Sequence, residues 1–511
     1  MSIILAAVFW HLFSVVSYTP GRTIASEREG EAVANRSVAL DRPVVERGWL
    51  DRFFKITESG STVNTEVVAG ITTFMVMAYI IFVNPSILSF AGIKDLQGLG
   101  PAFPAVMAVT CLVAGVMTIF MGLYGNYPFA LAPGMGLNAV VAFQLIVGMK
   151  LPWQAAMGVI FMEGIAITIL VITGFRQAVM DAIPMTLKKA IGVGIGLFIF
   201  FIGLADGELI KYGAKNPATP VALGDLTTGP VLVAIVGLFL IVWLMAKRVK
   251  GALLIGILAS TLLAIAINYA SGMKAFTTPG VAVIPSSVVD VPNLSLLGQG
   301  INFGVFATVG VITGVLTIFS LMLSDFFDTM GTVIGIGGKA GWLDKKGSMP
   351  RLNRILLVDS LAAVFGGAAG SSSATTYIES AAGVGEGART GLASVVTGVL
   401  FLLAMFFAPI AGVVPAHATA PALIVVGFLM AAVAKDIPFS DIEEGLPALL
   451  TIAVMPFTYS ITNGIGVGFV TYTFLKIVLG KANQLHWAMY VASLAFLVYF
   501  AMPWLHVAFG I

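Results

Sequence analysis

The chain has 511 residues, 58% of them hydrophobic and only 10% charged, with a formal net charge of +2. Soluble domains carry roughly 25% charged residues, so an ordinary soluble protein is excluded, and the near-neutral balance gives no case for a nucleic-acid partner. The single cysteine, Cys111, excludes a disulfide framework, and four scattered histidines make no metal site.

Residues 1–48 differ in kind from the rest. Ser2 to Tyr18 is apolar, but no Lys or Arg precedes it, so a secretory signal is poorly supported. A polar stretch follows from Pro20 to Glu46. An extra membrane-touching helix and an accessory or misassigned start both stay open, and no function is assigned to this extension.

Beyond it, apolar windows recur at 67–90, 102–122, 131–148, 152–173, 184–204, 229–246, 251–269, 308–336, 352–369, 376–388, 391–411, 418–434, 445–461 and 463–480. Roughly 20 such residues cross a hydrocarbon core of ~30 Å as a helix. The short alternating segments of a β-barrel are missing. The pattern predicts an all-α polytopic membrane protein with fourteen transmembrane segments. A further apolar stretch, 487–507, either crosses or lies along the surface. With the residues before segment one in the cytoplasm, nineteen of the 27 Lys and Arg residues fall in inside loops and helix ends; five fall outside, and three sit in the extension. That is the positive-inside bias of a multi-pass protein in the cell (inner or plasma) membrane.

The two halves echo each other. Segments three and ten are both short, and irregular stretches lead them: "NYPFALAPGMGLNA" (126–139) and "GGAAGSSSATTYIESAAG" (366–383). Seven segments separate the two, so they enter from opposite sides. Paired interrupted segments in inverted halves point to a transporter binding site. Glycines that merely allow close helix packing would not account for the carboxylates nearby.

Four acids sit well away from the ends of the predicted segments: Glu163, Asp325, Asp328 and Glu379. Asp325 and Asp328 share one helix face. Two carboxyls so close in a low dielectric cannot both ionise cheaply, which suits a proton-coupled carrier. Glu379 follows the break at Ser371–Thr375, so it is expected at the start of a half-helix, where free N–H groups favour an anion. Asn138 is its mirror. Carboxylate acceptors, an amide and backbone N–H groups suit a flat neutral heterocycle with ring N–H and C=O groups, and suit an inorganic anion badly. Phe129, Tyr377, Phe326 and Phe327 are candidates for stacking on it, with simple packing as the plainer role. Gly134 and Gly136 allow close backbone approach. Glu163 either lines the cavity or bonds a neighbouring helix.

These same stretches, "DFFDTMGTVIG", "TTYIESAAGVGEGARTGL", "APGMGLNA" and "TAPALIVVGFLM", resemble the AzgA-type purine permeases of the nucleobase–cation symporter-2 group, over about Trp49 to Lys481. The resemblance implies two inverted repeats of seven segments. It implies a core domain (49–173 and 301–411) and a gate domain (174–300 and 412–511). Segments three and ten would be broken, each led by a short strand, with "FALAP" and "SSSATT" pairing across the core. It implies inward carriage of hypoxanthine, guanine or adenine with protons and no cofactor. By motif match the family's substrate contacts fall on Asn138, Asp325 and Glu379, beside Gly136, Phe326 and Tyr377 as read from the residues; Asp328, the second segment-eight acid, is the proton-coupling candidate. A homodimer is open, since dimers occur in the wider group. The extension before Trp49 departs from the family pattern.

Two rivals fare less well. An anion carrier of the sulfate or bicarbonate type, the alternative on the same fold, should carry a basic or neutral residue where Glu379 stands. An intramembrane aspartyl protease needs aspartates facing across a cleft, not on one helix turn, so an enzyme is not expected.

Overall fold

The computed structural model describes residues 48–509 except 92, 175–182, 213–220, 279, 286 and 344–348. The extension before Gly48, and the inside-loop residues Arg176, Lys345 and Lys346, lie outside the described residues.

The first span, Val63–Leu88, is two helices, α1 (Val63–Met77) and α2 (Ile80–Leu88), broken at Ala78–Tyr79. Thr62 caps α1 by accepting from the Thr65 N–H. Pro85 inside α2 removes one ladder donor and crowds the preceding turn. Next come α3 (Phe103–Phe120), strand β1 (Leu131–Pro133) and α4 (Met135–Ala139), which continues with π-helical geometry through Val140–Gly148. Helices α5 (Trp153–Thr173) and α6 (Met185–Asp206) follow. A small hairpin, β2 (Ile210–Tyr212) with β3 (Val221–Leu223), precedes α7 (Gly229–Ala246) and α8 (Ala252–Ala270).

The second half runs α9 (Val311–Lys339), α10 (Leu352–Ala369), β4 (Ala374–Thr376), α11 (Ser380–Gly385), α12 (Gly391–Ala404), α13 (Ala416–Ala431), α14 (Ile442–Thr458), α15 (Ile461–Val478) and α16 (Trp487–Phe509). Among the described residues eleven helices are long and apolar enough to cross a membrane. The predicted segments three, ten and thirteen are helical but shorter. Segment ten differs most from its apolar window: β4 and a turn take its first part, and α11 keeps only six residues before Gly387 turns the chain at φ 105°.

Small residues draw the helices together. An added Cβ on Gly164 of α5 would sit 2.5 Å from the Val364 nitrogen of α10, and one on Gly367 of α10 would sit 2.5 Å from the Phe161 nitrogen of α5. That backbone-to-backbone approach needs glycine on both sides, as between helices in lipid. Among the strongest packing pairs are α5 with α10, α14 with α15, α3 and α1 with α12, and α6 with both α13 and α14. Helix α6 also touches α4 and α9.

The two strands come from opposite halves. β1 pairs antiparallel with β4 in the register Leu131↔Thr376, Ala132↔Thr375, Pro133↔Ala374, within the two stretches named from the sequence. Because the strands are antiparallel, α4 and α11 begin at opposite ends of this two-strand joint.

Candidate functional site

Irregular backbone inside a membrane protein must find its hydrogen bonds within the protein, and the strand joint does so. The Thr118 hydroxyl accepts from the Leu131 N–H at 2.9 Å. The Gly134 N–H donates to Ser373 O at 2.8 Å, and the Tyr377 N–H to Ala130 O at 2.9 Å. The Ser380 hydroxyl accepts from the Ala130 N–H at 2.9 Å.

Asp359 of α10 anchors β4. Its Oδ1 accepts from the Thr376 N–H at 2.7 Å and the Thr376 hydroxyl at 2.8 Å, and its Oδ2 from the Thr329 hydroxyl of α9 at 2.6 Å. The expectation of four deep acids was therefore one short. Asp359 is the eighth residue of α10 and buried; its lone placement in "LLVDSLAAV" is the signal that identified Glu163, and it was overlooked.

The two aspartates of α9 have different surroundings. Asp325 is 1% exposed and its Oδ2 accepts from the Ser373 hydroxyl at 2.8 Å. Asp328, one turn on, is half-buried. Glu379 is also half-buried and occupies the N-cap position of α11. Its side chain makes no capping bond; Oε1 accepts from the Tyr79 hydroxyl at 2.7 Å instead. The helix N–H groups expected to hold this carboxylate are thus replaced by a phenol from the break between α1 and α2. Sequence reasoning missed Tyr79 because "MAYII" reads as a plain apolar stretch. Tyr79, Tyr377, Asp328 and Glu379 lie close enough to interact electrostatically as one group.

Asn138 on α4 is buried; its Nδ2 donates a long 3.4 Å bond to Pro133 O, and its Oδ1 has no partner among the described residues. The Tyr377 hydroxyl donates to the same Pro133 O at 2.5 Å. Gly136 faces α6, where an added Cβ would meet Ile195 Cγ2 at 2.5 Å; one on Gly134 would meet Thr375 Cγ2 at 2.9 Å. Phe326 and Phe327 pack edge to face, centroids 5.6 Å apart, and the Lys188 ammonium lies 5.7 Å from the Phe327 centroid. Phe129 is fully buried and packs edge-on to Trp342 and beside Tyr127, so its role is packing. Around the strand joint the fold therefore gathers Asn138, Asp325, Asp328, Tyr377 and Glu379, with Phe326 beside them and Gly136 at the α6 contact.

Chemically, this is a surface of hydrogen-bond acceptors. It offers half-buried acceptors at Asp328 and Glu379 and, at Asn138, an amide oxygen without a donor among the described residues.

Comparison with known proteins gives the context. The solved transmembrane domain of a cyanobacterium bicarbonate transporter, BicA, superposes with a TM-score of 0.57 at 14% identity, covering 79% of this chain and 97% of that one. At that identity the likeness shows the fold alone, an inverted-repeat transporter fold. Adenine permease AdeP of Escherichia coli (strain K12) is 42% identical over 452 residues, 88% of this chain and 96% of the relative. Guanine/hypoxanthine permease PbuG of Bacillus subtilis (strain 168) is 41% identical over 452 residues, 88% of this chain and 98% of the relative. The model of the Permease family, Xan_ur_permease, matches residues 64–467. With that match and those relatives, the resemblance drawn from the motifs holds: this chain, a multi-pass membrane protein and not an enzyme, belongs to the Xan_ur_permease family of permeases.

Proposed function

We propose that the protein imports purine nucleobases, with hypoxanthine, guanine and adenine as candidates, by proton symport across the cell membrane, its residues before α1 on the cytoplasmic side. The observation that carries this reading is the pair Glu379 and Asp328, half-buried acceptors beside a strand joint, in a chain about two-fifths identical to named purine permeases. A purine ring offers N–H donors for the two carboxylates and acceptors for backbone N–H groups. Asp325, Asn138 and the Gly136 backbone complete the contacts, with Phe326 and Tyr377 against the ring. Asp328 takes the coupling proton.

In this reading residues 49–173 and 301–411 act as the core that carries substrate, and 174–300 and 412–511 as the gate against which it moves. Alternating access follows from sliding the core past α6, the gate helix that touches both α4 and α9. An inorganic anion would meet Asp328 and Glu379 with like charge, which disfavours the anion-carrier alternative despite the shared fold.

The test is uptake of labelled hypoxanthine against a panel of unlabelled purines and pyrimidines, with and without a proton uncoupler. Purines compete and the uncoupler abolishes accumulation if the reading holds. Competition by bicarbonate or sulfate, with none by purines, overturns it.

A further inference from the structure

Glu163 is a buried acid for which the transport reading has no use. It lies midway along α5, is 0% exposed, and among the described residues neither carboxyl oxygen has a hydrogen-bond donor from a hydroxyl, amide or cation. Such an arrangement is costly unless something is bound there. The group it faces is another carboxyl, Asp325 of α9, within hydrogen-bond reach. Asp325 Oδ2 is taken by Ser373, and its Oδ1 has no donor among the described residues. Helix α5 packs on α10 and α9. The other acid from those helices that faces the pair, Asp359, is engaged by Thr329 and Thr376. Asp328 lies one turn beyond Asp325 and is half-buried. None of the described ion pairs involves Glu163, Asp325 or Asp359.

Two bare carboxylates in contact, away from water and without a cation, repel strongly. A single proton between them removes the repulsion and gives Asp325 Oδ1 the donor it lacks. We propose that Glu163 holds a proton that stays in place through the transport cycle, and donates it as a hydrogen bond to Asp325 Oδ1. Glu163 is then a positioning residue. Ser373 and Glu163 fix the two oxygens of Asp325 from opposite sides, and Asp325 keeps one charge in one orientation. The transported proton binds elsewhere, since Glu163 is 0% exposed. The inference rests on the purine-symport reading only for the effect on uptake; the protonation of Glu163 is independent of it.

Two measurements test it. The first is infrared difference spectroscopy on purified protein in lipid, without substrate, comparing wild type with Glu163→Gln. A protonated-carboxyl C=O band that is lost in the variant and does not titrate between about pH 5 and 8 is expected. Absence of the band, or its titration across that range, overturns the proposal whatever the protein transports. The second is uptake of labelled hypoxanthine at several pH values. Glu163→Gln, whose amide still donates, should stay within a few-fold of wild type with the same pH profile. Glu163→Leu, which leaves Asp325 Oδ1 bare, should raise KM by about tenfold or more. Loss of accumulation in Glu163→Gln with binding retained would make Glu163 the transported proton's site and sink the proposal, as would wild-type KM in Glu163→Leu. Should the Leu variant not fold, the infrared comparison and the Gln pH profile still decide.

Discussion

Tyr79 and Glu379 show how one side-chain contact sets the chemistry of the site. The phenol holds one oxygen of Glu379 at 2.7 Å and leaves the other as an acceptor, so the carboxylate is aimed but not used up. Glu379→Gln turns an acceptor-only group into one that also donates, and hypoxanthine uptake in that variant should fall by a factor of about ten or more while protein still reaches the membrane. Tyr79→Phe keeps the ring and loses only the aiming bond. It should raise KM less than Glu379→Gln does, and equal losses in the two variants would argue that Tyr79 itself contacts substrate. Both are read from initial rates at several substrate concentrations.

At the scale of elements, the strand joint depends on Asp359, which satisfies three donors of α9 and β4 at once. Asp359→Ala would leave the Thr376 N–H and hydroxyl without that acceptor, at about 1–3 kcal/mol each, while the Thr329 hydroxyl keeps Thr375. The melting temperature of the detergent-purified variant should therefore drop by several degrees or more, ahead of any effect on recognition. Gly136→Val acts differently. Its side chain would be driven into Ile195 of α6, so transport should be lost with only a modest fall in folded protein, seen as wild-type-like gel-filtration yield without uptake. Much of this architecture was legible in the sequence. Apolar windows found the long helices because span length is a property of the chain alone. The broken segments were legible from Gly and Ser/Thr runs at matching places. The strands themselves came with the family motifs, since three residues carry too little periodicity to show a strand. The six-residue length of α11 was hidden because Tyr377 and Ile378 before it and Ala388 after it extend the apolar window past both of its ends. Tyr79 was hidden because a helix break between two apolar runs has no local marker other than Pro85, which lies further on.

At the scale of the whole molecule, coupling requires that proton and substrate each favour the other's binding by the same factor. Asp328→Asn mimics a permanently neutral group, so the variant should still bind purine but no longer concentrate it. Its binding should lose the pH dependence of the wild type between about pH 5 and 8. Asp325→Asn should instead weaken binding itself. Purified protein gives the binding curves, and proteoliposomes with an imposed proton gradient give accumulation. An Asp328→Asn variant that still accumulates purine uphill would move the coupling proton to another acid. The strand joint also governs how the protein is made. Tyr377 and Pro133, hydrogen-bonded to each other, stand 244 residues apart in the chain, so β1 enters the bilayer on the ribosome with its partner strand not yet synthesised. Until β4 arrives, the polar edge of β1 has nothing in hydrocarbon to bond, and long-range pairing of this kind is slow to close. Assembly of the site is thus a late event in biogenesis, and a nascent chain released before β4 should be held by membrane chaperones or degraded rather than retained as a half-transporter.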